Sequence, residues 1–498
     1  MNDPGRRSAA AGVGRPAGPL LFVAVLVLWR HDAMGVVAGL TAWMAVWWMT
    51  EAIPIPATSL LPMAVLPVCA GTTFKLADVA PNYGNWRVYL FFGGFLIAIA
   101  MEVTGLHRRI ALHLVRRIGA SPRRLVFGFM VATAFLSMWI SNTATTLMML
   151  PIGLAVIAQL PDRPRFATAM MLGIAYGASI GGVATLIGTP PNISLLGVLK
   201  TRYPAAPEVT FAQWMGLGLP LVLLFLPVTW LLLVRGIRRE AGAGREVIQG
   251  EIERLGPMSP AERRVLVVFA ATALLWIFRK PIRLGDLVIP GWVELRWFPE
   301  AARRSVNDGV VAVFMGLSLF LVPGGRGGAI LDWDTVQRKM PWGILLLFGG
   351  GFALAMAIGQ SGLSGWVGDQ FRFRAHPLVL MAVCAAGVTF LTEVTSNTAT
   401  AEILLPLVAG VATGTAQTSP LVLMLPVTLA ASCAFMLPVA TPPNAVVFGS
   451  GHVRMQDMVR HGLVVNLVGI VLVAAVCYLL GPLMLGIDYG AGVPTWAR

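Results

Sequence analysis

The pentapeptide Ser-Asn-Thr-Ala-Thr at residues 141–145 recurs at residues 396–400, and each copy is followed by an aliphatic run that contains a proline. Two further motifs recur in the same order at an offset of about 255 residues. These are Phe-Gly-Gly, at 92–94 and 348–350, and Thr-Pro-Pro-Asn, at 189–192 and 441–444. Three ordered matches indicate that the chain consists of two copies of one unit.

Each repeated motif interrupts an apolar segment. The segments 125–160 and 377–412 are too long for one crossing of a membrane, and Ser-Asn-Thr divides each of them near its middle. Pro-Pro breaks the segments around 190 and 442, because proline lacks an N–H and disfavours helix before it. A single Ser-Asn-Thr is more often an interhelical hydrogen bond, and a single Pro-Pro more often a kink. Their duplication favours the substrate site of a transporter.

The composition predicts an all-α polytopic membrane protein. Hydrophobic residues make up 57% of the 498 and charged residues only 12%, and the mean hydropathy is +0.76. A soluble globular protein carries about 25% charged residues. The apolar runs 217–234 and 463–480 lack the two-residue alternation of a β-barrel strand and are long enough for a membrane-spanning helix. We therefore expect a multi-pass protein of a bacterial-type inner (plasma) membrane, with the lipid bilayer as its solvent.

The net charge of +14 does not indicate a nucleic-acid partner, because the basic residues form short clusters between apolar segments. This pattern is typical of orientation by cytoplasmic Lys and Arg. Six arginines lie within 108–124, before the first Ser-Asn-Thr, whereas 361–376, before the second, contains only Arg372, Arg374 and His376. The asymmetry favours inverted repeats. A third cluster would then lie outside, against the rule: Arg279, Lys280, Arg283, Arg296, Arg303 and Arg304.

The interrupted segments carry almost no charge. Residues 125–160 contain no Lys, Arg, Asp or Glu, and 377–410 contain only Glu393 and Glu402. An anion bound here would be contacted by helix termini, hydroxyls and amides. Moving a dianion out of water without neutralising its charge is very costly, so this composition predicts that a cation binds with it. The two glutamates are candidate proton carriers, a less favoured hypothesis because Met138 and Leu147 occupy the matching positions in the first copy. No catalytic or metal-binding cluster occurs in the apolar segments, so an enzyme is not expected.

The segments 137–143, 188–192, 392–398 and 440–444 together resemble the divalent-anion/sodium symporter family. That family includes bacterial sodium/dicarboxylate symporters and animal citrate and sulfate transporters. The resemblance implies a homodimer with two re-entrant helical hairpins in each protomer. It also implies an elevator mechanism, in which a transport domain moves against a scaffold domain.

The resemblance also implies how the chain divides. Scaffold helices of repeat 1 would occupy 1–124, and the first part of the transport domain 125–235. A cytoplasmic loop, or short amphipathic helix, would occupy 236–262. Scaffold helices of repeat 2 would follow at 263–376, and the second part of the transport domain at 377–498.

The same resemblance assigns two sodium sites and a substrate site. The first sodium site would be formed by Ser137, Ser141, Asn142 and the backbone at Gly188, and the second by Thr392, Thr395, Asn397 and the backbone at Ala440. The substrate carboxylates would contact Ser141, Asn142, Thr143, Thr189, Ser396, Asn397, Thr398 and Thr441, with Pro190 and Pro442 lining the pocket.

The expected activity is sodium-coupled uptake of C4-dicarboxylates such as succinate, fumarate and malate. Sodium is the coupling ion, and no other cofactor is expected. Three alternatives remain open: sodium-independent dicarboxylate exchange, transport of citrate or sulfate in the same fold, and an intramembrane channel.

Overall fold

The computed structural model describes residues 9–29, 31–119, 121–159, 163–237, 245–284, 287–296, 298–303, 305–325, 327–370 and 375–498. These residues fold almost entirely into helices, which confirms the expected helical class. The one sheet among them pairs two strands, β1 (Ile282–Leu284) and β2 (Leu287–Ile289), in antiparallel register. Of the basic residues used above to orient the chain, Arg304, Arg372 and Arg374 lie outside the described residues.

The first half of the chain contains twelve α-helices among the residues that the structure describes. They are α1 (Ala9–Leu28), α2 (Ala33–Thr50), α3 (Ile55–Thr58), α4 (Leu61–Cys69), α5 (Leu76–Val79), α6 (Trp86–Thr104), α7 (Leu106–Ile118), α8 (Pro122–Ser137), α9 (Asn142–Ala158), α10 (Pro164–Gly182), α11 (Pro190–Arg202) and α12 (Phe211–Leu233). A 3-10 helix, Ala80–Asn82, lies between α5 and α6.

The second half contains twelve more α-helices among the described residues. They are α13 (Arg245–Leu255), α14 (Pro260–Ile277), α15 (Glu300–Arg303), α16 (Asp308–Ser318), α17 (Trp333–Lys339), α18 (Trp342–Gln360), α19 (Leu363–Gln370), α20 (Pro377–Thr392), α21 (Asn397–Gly414), α22 (Pro420–Ala430), α23 (Pro442–Phe448) and α24 (Met455–Leu485). Two more 3-10 helices are Trp292–Glu294 and Thr495–Ala497. The expected short helix within 236–262 is α13.

Six apolar stretches of the described chain are long enough to cross a membrane. They are Ala11–Leu28, Ala33–Thr50, Leu76–Thr104, Phe211–Leu233, Trp342–Gln360 and Met455–Leu485. The pairs α8–α9 and α20–α21 are different, because each pair is a helical hairpin whose arms contain 16 to 18 residues. Such an arm is about 24–27 Å long at 1.5 Å per residue, which is shorter than the roughly 30 Å hydrocarbon core.

Two broken helices pack between the hairpins. The non-helical segment 183–189 separates α10 from α11, and 431–441 separates α22 from α23. The half-helix α11 packs against α21 of the second hairpin, and α23 packs against α9 of the first hairpin. The two copies of the repeat therefore interlock, since each hairpin is braced by a half-helix from the other copy.

The two hairpins begin near opposite ends of α12. Arg123, at the start of the first hairpin, donates from Nε to the Ile237 carbonyl at 2.7 Å, just beyond the C-terminal end of α12. His376, at the start of the second, packs against Tyr478, which stacks on Tyr489. Tyr478 lies toward the C-terminal end of α24, and this end of α24 packs on the start of α12, since a methyl group added at Gly216 would overlap Met484.

Part of the basic cluster expected to break the orientation rule is neutralised by ion pairs. Arg279 is 1% exposed and pairs with Asp308 at 2.6 Å and with Glu208. Lys280 also pairs with Glu208, at 2.6 Å. Burial alone would raise the pKa of the Glu208 carboxyl, but these cations outweigh it and hold the pKa below its usual value. Paired in this way, the cluster carries less free positive charge than the sequence indicates.

Candidate functional site

The first hairpin presents residues 141–143, here called tip 1, at the N-terminus of α9. Ser141 caps that helix, with Oγ accepting a hydrogen bond from Ala144 N at 3.5 Å. The Ser137 hydroxyl donates to Asn142 Oδ1 at 2.6 Å. A methyl group added at Gly182 would lie 2.7 Å from Asn142 Oδ1 and 3.1 Å from the Gly188 carbonyl oxygen. The amide oxygen of Asn142 and the carbonyl oxygen of Gly188 therefore meet beside Gly182, and neither belongs to a charged group.

The second hairpin repeats this arrangement at residues 396–398, called tip 2, at the N-terminus of α21. The Thr392 hydroxyl lies 2.7 Å from Asn397 Oδ1 and 3.0 Å from the Ala431 carbonyl oxygen. Thr392 stands where Ser137 stands in the first copy, so the hydroxyl-to-amide contact is conserved between the two copies of this chain. Ser396 makes no side-chain capping bond to α21.

Thr395 is placed less favourably for a side-chain role. Its hydroxyl is 2.9 Å from the Leu391 carbonyl oxygen and 2.6 Å from Thr400 Oγ1, within the hairpin itself. These bonds use the hydroxyl proton and at most one lone pair, so the second lone pair and the backbone carbonyl are left to serve as ligands for an ion at this tip. Ala440, the backbone ligand expected for the same site, is buried at the end of segment 431–441.

An asparagine braces each broken helix. Asn192 donates from Nδ2 to the carbonyl oxygens of Gly182 at 3.3 Å and Thr185 at 2.7 Å. Asn444 donates in the same way to Ala434 at 3.1 Å and Leu437 at 3.0 Å. The accepting residues occupy matching positions in the two copies, and these bonds satisfy carbonyls that a continuous helix would have paired. The repeated Asn after Pro-Pro was the sequence signal for this role, which the motif analysis missed.

The two halves of the site are in contact. Thr189 Oγ1 lies 3.5 Å from Ser432 Oγ, and Ser432 follows the Ala431 carbonyl that Thr392 contacts. In addition, Ser194 of α11 donates to Glu402 Oε1 of α21 at 2.6 Å. The structure thus links the first broken helix to the second copy at two points, one in segment 431–441 and one in the second hairpin. Ser432 and Ser194 carry no motif signal in the sequence.

The expected substrate residues differ in exposure. Three are buried, with exposed fractions of 2% for Thr189, 8% for Thr398 and 5% for Thr441. Pro442 is exposed, and the remaining ones are half-buried: Ser141, Asn142, Thr143, Pro190, Ser396 and Asn397. Thr441 Oγ1 accepts from Asn444 N at 3.3 Å, so this hydroxyl caps α23.

The amide groups at the two tips have unused donors. Asn142 Oδ1 and Asn397 Oδ1 each accept a hydroxyl bond, whereas neither NH₂ group donates a hydrogen bond within the described part of the chain. An amide can ligate a cation through its oxygen and donate to a carboxylate through its nitrogen. The N-termini of α9, α11 and α21 add backbone N–H groups with a partial positive charge, which favours an anion.

Glu393 has a bonding pattern that the sequence did not reveal. It is 3% exposed, and its Oε1 accepts from Phe435 N at 2.7 Å, Met436 N at 2.9 Å and Asn466 Nδ2 at 2.7 Å. Oε2 accepts from Met436 N and Leu437 N, both at 3.1 Å. The carboxylate therefore ties the middle of segment 431–441 to the second hairpin.

Glu402, the other candidate proton carrier, is fully buried, and within the described part of the chain its one hydrogen bond is from Ser194 to Oε1. Its Oε2 has no partner among the described residues and faces α18, where a methyl group added at Gly351 would lie 1.9 Å away. The two glutamates thus differ sharply in how well their oxygens are satisfied.

Comparisons with known proteins agree on one family. Residues 25–487 match the profile of the sodium:sulfate symporter transmembrane region. The chain is 42% identical to the sodium-dependent dicarboxylate transporter SdcS of Staphylococcus saprophyticus, over 97% of this chain and 93% of that protein. It is 41% identical to SdcS of Staphylococcus aureus, over 98% and 94%.

A solved structure shares the fold. The YdaH transporter of Alcanivorax borkumensis superposes with a TM-score of 0.57, covering 91% of this chain and 99% of that one. The sequence identity is 15%, so this likeness concerns the arrangement of helices and not the ligand.

Proposed function

We propose that this chain, which belongs to the family of the sodium:sulfate symporter transmembrane region, couples sodium entry to the uptake of C4-dicarboxylates such as succinate, fumarate and malate. It is a multi-pass helical protein of a bacterial-type inner membrane. The relatives with more than 40% identity over nearly the whole chain are named sodium-dependent dicarboxylate transporters, which supports the substrate class.

The observation that carries the proposal is the duplicated hydroxyl–amide pair beside each tip. Ser137 with Asn142, and Thr392 with Asn397, place two uncharged oxygens together next to a break in a helix. Freed carbonyls, hydroxyls and amides at such breaks suit small cations such as sodium. We assign the first sodium to Ser137, Ser141, Asn142 and the backbone of Gly188, and the second to Thr392, Thr395, Asn397 and the backbone of Ala440.

The dicarboxylate then lies between the tips. One carboxylate would meet Ser141, Asn142 and Thr143, and the other Ser396, Asn397 and Thr398, with Thr189, Thr441, Pro190 and Pro442 around them. No Lys or Arg occurs in 125–160 or 377–414, so bound sodium supplies the positive charge that a buried dianion needs. This is why the anion should not bind tightly without sodium.

We further propose that the two copies are inverted and that the protein works as an elevator. The start of the first hairpin at one end of α12, and of the second near the other end, supports the inversion. The moving part would comprise 125–235 and 377–498, the scaffold 1–124 and 263–376, and 236–262 a cytoplasmic loop. Two protomers would form a dimer through their scaffolds, which light scattering of the purified protein can test.

The direct test is uptake of labelled succinate into proteoliposomes with sodium or choline outside, at matched pH. Succinate should accumulate only with inward-directed sodium. Equal uptake in choline would contradict the sodium coupling and support exchange instead. Parallel assays with citrate and sulfate decide among the substrates of the family, and saturation of the uptake rate distinguishes a carrier from a channel.

Asn142→Asp and Asn397→Asp test the shared role of the tip amides. Aspartate keeps an oxygen for sodium but loses the NH₂ donor and repels the dianion. Sodium binding should survive in either variant, whereas succinate uptake should fail. If these residues only capped helices, Asp would cap about as well as Asn, and near-normal uptake by either variant would refute the shared site.

A further inference from the structure

A group of charged side chains lies at the end of the molecule opposite Arg109. We call it the outer cluster, and it consists of Arg87, Lys200, Glu208, Arg279, Lys280 and Asp308. The helix α14 connects the two ends: Glu262 in its first turn pairs with Arg109, and Arg279 follows its last turn. Since the arginine-rich end is expected to face the cytoplasm, we expect the outer cluster to face the other side.

The outer cluster holds more positive than negative charge. Its two carboxylates, Glu208 and Asp308, are engaged by Arg279 and Lys280. Arg87 and Lys200 form no ion pair within the described residues, but both lie beside the paired groups. A methyl group added at Gly309, next to Asp308, would lie 2.8 Å from the carbonyl oxygen of Trp86, next to Arg87. Lys200 donates to the carbonyl oxygen of Ala206, two residues before Glu208. Four cations therefore share two carboxylates, which leaves two positive charges in excess.

Arg87 is held in place but incompletely satisfied. It is 6% exposed, its guanidinium lies 4.4 Å from the ring centre of Trp86, and Nη1 donates to Asn85 Oδ1 at 3.2 Å. Its Nε is buried and has no partner among the described residues. A buried guanidinium is costly unless its donors are used, so this one is suited to meet an oxyanion.

The two lysines of the outer cluster have donors to spare. Lys200 Nζ donates to the carbonyl oxygens of Pro204, at 3.0 Å, and Ala206. Lys280 contacts Glu208 and leaves 41% of its side chain exposed. An ammonium has three donors, so Lys200 keeps at least one for a further acceptor and Lys280 keeps two.

The outer cluster is connected to the proposed substrate site by two helices. Pro190 and Lys200 lie at opposite ends of α11, about 15 Å apart at 1.5 Å per residue. Arg87 stands about two turns along α6 from Gly94, and Gly94 contacts Ile187 in the first broken segment. These two distances are about one to two Debye lengths at physiological salt. Salt screens the charges of the outer cluster less where protein replaces water.

We propose that Arg87, Lys200 and Lys280 form a second anion site, where a carboxylate of the incoming dicarboxylate binds before the substrate reaches the tips. The inference rests on the proposed function and adds an entry step to it. Clustered charge at the mouth of a site raises the local concentration of an oppositely charged ligand and its association rate. A lipid phosphate offers the same oxyanion chemistry, so the experiment must separate the two sources.

The experiment measures initial succinate uptake by the full-length protein in proteoliposomes, at fixed sodium and at two concentrations of choline chloride. The variants are Lys200→Gln, Lys280→Gln and the double variant. Lys75→Gln is the control, because Lys75 is exposed, precedes α5 and lies outside the outer cluster. All proteins are compared in vesicles of phosphatidylcholine alone and in vesicles with added phosphatidylglycerol.

We expect KM to rise roughly two- to fivefold for each lysine removed and more for the double variant, with kcat unchanged. The dependence of KM on choline chloride should weaken in the same order, and Lys75→Gln should match the unmodified protein. The effects should be equal in both kinds of vesicle.

Three results would overturn the anion site. They are an unchanged KM and salt dependence in the double variant, a fall in kcat alone, and an effect confined to vesicles with anionic lipid, which would assign the cluster to a lipid phosphate. Failure of the unmodified protein to take up any dicarboxylate is a different result, because it refutes the proposed function itself.

Discussion

Replacing Glu393 with glutamine distinguishes a structural brace from a proton carrier. The carboxylate accepts bonds from three successive backbone N–H groups, those of residues 435–437, and from Asn466. All of these groups are donors, which is the pattern of an ionised acceptor. Glutamine keeps one oxygen but turns an NH₂ toward the N–H groups of Met436 and Leu437.

The magnitude follows from counting the bonds that glutamine loses. The Leu437 N–H loses its acceptor, and an unsatisfied buried donor costs about 1–3 kcal/mol. The bonds that remain lose their charge assistance, which is worth roughly a further 1 kcal/mol. Relief of the carboxylate's own desolvation offsets part of this. We expect Glu393→Gln to destabilise the protein by about 2 kcal/mol.

Glu402→Gln is the matched control, because it changes a buried glutamate in the same hairpin that makes one hydrogen bond. Glutamine can retain the bond from Ser194, and the other carboxylate oxygen has no partner among the described residues to lose. The expected change is within about 1 kcal/mol of zero. The two variants make the same change, from carboxyl to amide, in the same hairpin, and they differ in how many donors they leave unpaired.

The assay is thermal unfolding of the purified protein in detergent, together with sodium-driven succinate uptake at several pH values. Glu393→Gln should lower the unfolding midpoint by about 2–4 °C and reduce uptake equally at each pH, while Glu402→Gln should leave the midpoint unchanged. The brace is refuted if Glu393→Gln unfolds at the unmodified protein's midpoint and instead loses a response of uptake to a pH gradient.

Three further variants test the packing and the orientation. Gly182→Ala should raise the sodium concentration needed for half-maximal uptake, because its methyl group would lie 2.7 Å from the amide oxygen at tip 1. Gly351→Ala should lower the yield of folded protein, since its methyl group would overlap Glu402, and the double variant Gly351→Ala/Glu402→Ala should restore that yield. If the repeats are inverted, a cysteine at Arg117 should react with an impermeant reagent only from the cytoplasm and one at His376 only from outside; labelling of both from one side would contradict the inversion.

The sequence was sufficient to locate the breaks in the helices. The helices α9, α11, α21 and α23 begin at Asn142, Pro190, Asn397 and Pro442, within the repeated motifs. Capping side chains and proline act locally, so their effect can be read from a few neighbouring residues. The class of the chain followed in the same way, since hydropathy sums over many residues and does not depend on any one contact.

Contacts between distant segments were not predictable in this way. Glu393 binds N–H groups more than forty residues later, and Arg279 pairs with carboxylates on both sides of it in the sequence. A single sequence gives no signal for such pairing, so Glu393 stood out only by its charge. The strands β1 and β2 were also missed, because three-residue strands are too short for a two-residue periodicity to be seen.

The duplicated site is symmetric in geometry but not in charge. In the first copy the broken segment is tied to the hairpin by the Thr185 hydroxyl, which donates to the Met138 carbonyl at 2.5 Å. In the second copy the same position of the hairpin carries Glu393, which binds three N–H groups of residues 435–437. A backbone carbonyl holds the first broken segment through one hydroxyl, whereas a carboxylate holds the second through several backbone N–H groups. If both tips bind sodium as proposed, Thr392, a ligand of the second ion, is followed directly by Glu393. Ser137, the matching ligand of the first ion, is followed by the uncharged Met138. The two sodium sites are then expected to differ in affinity although their hydroxyl and amide ligands match.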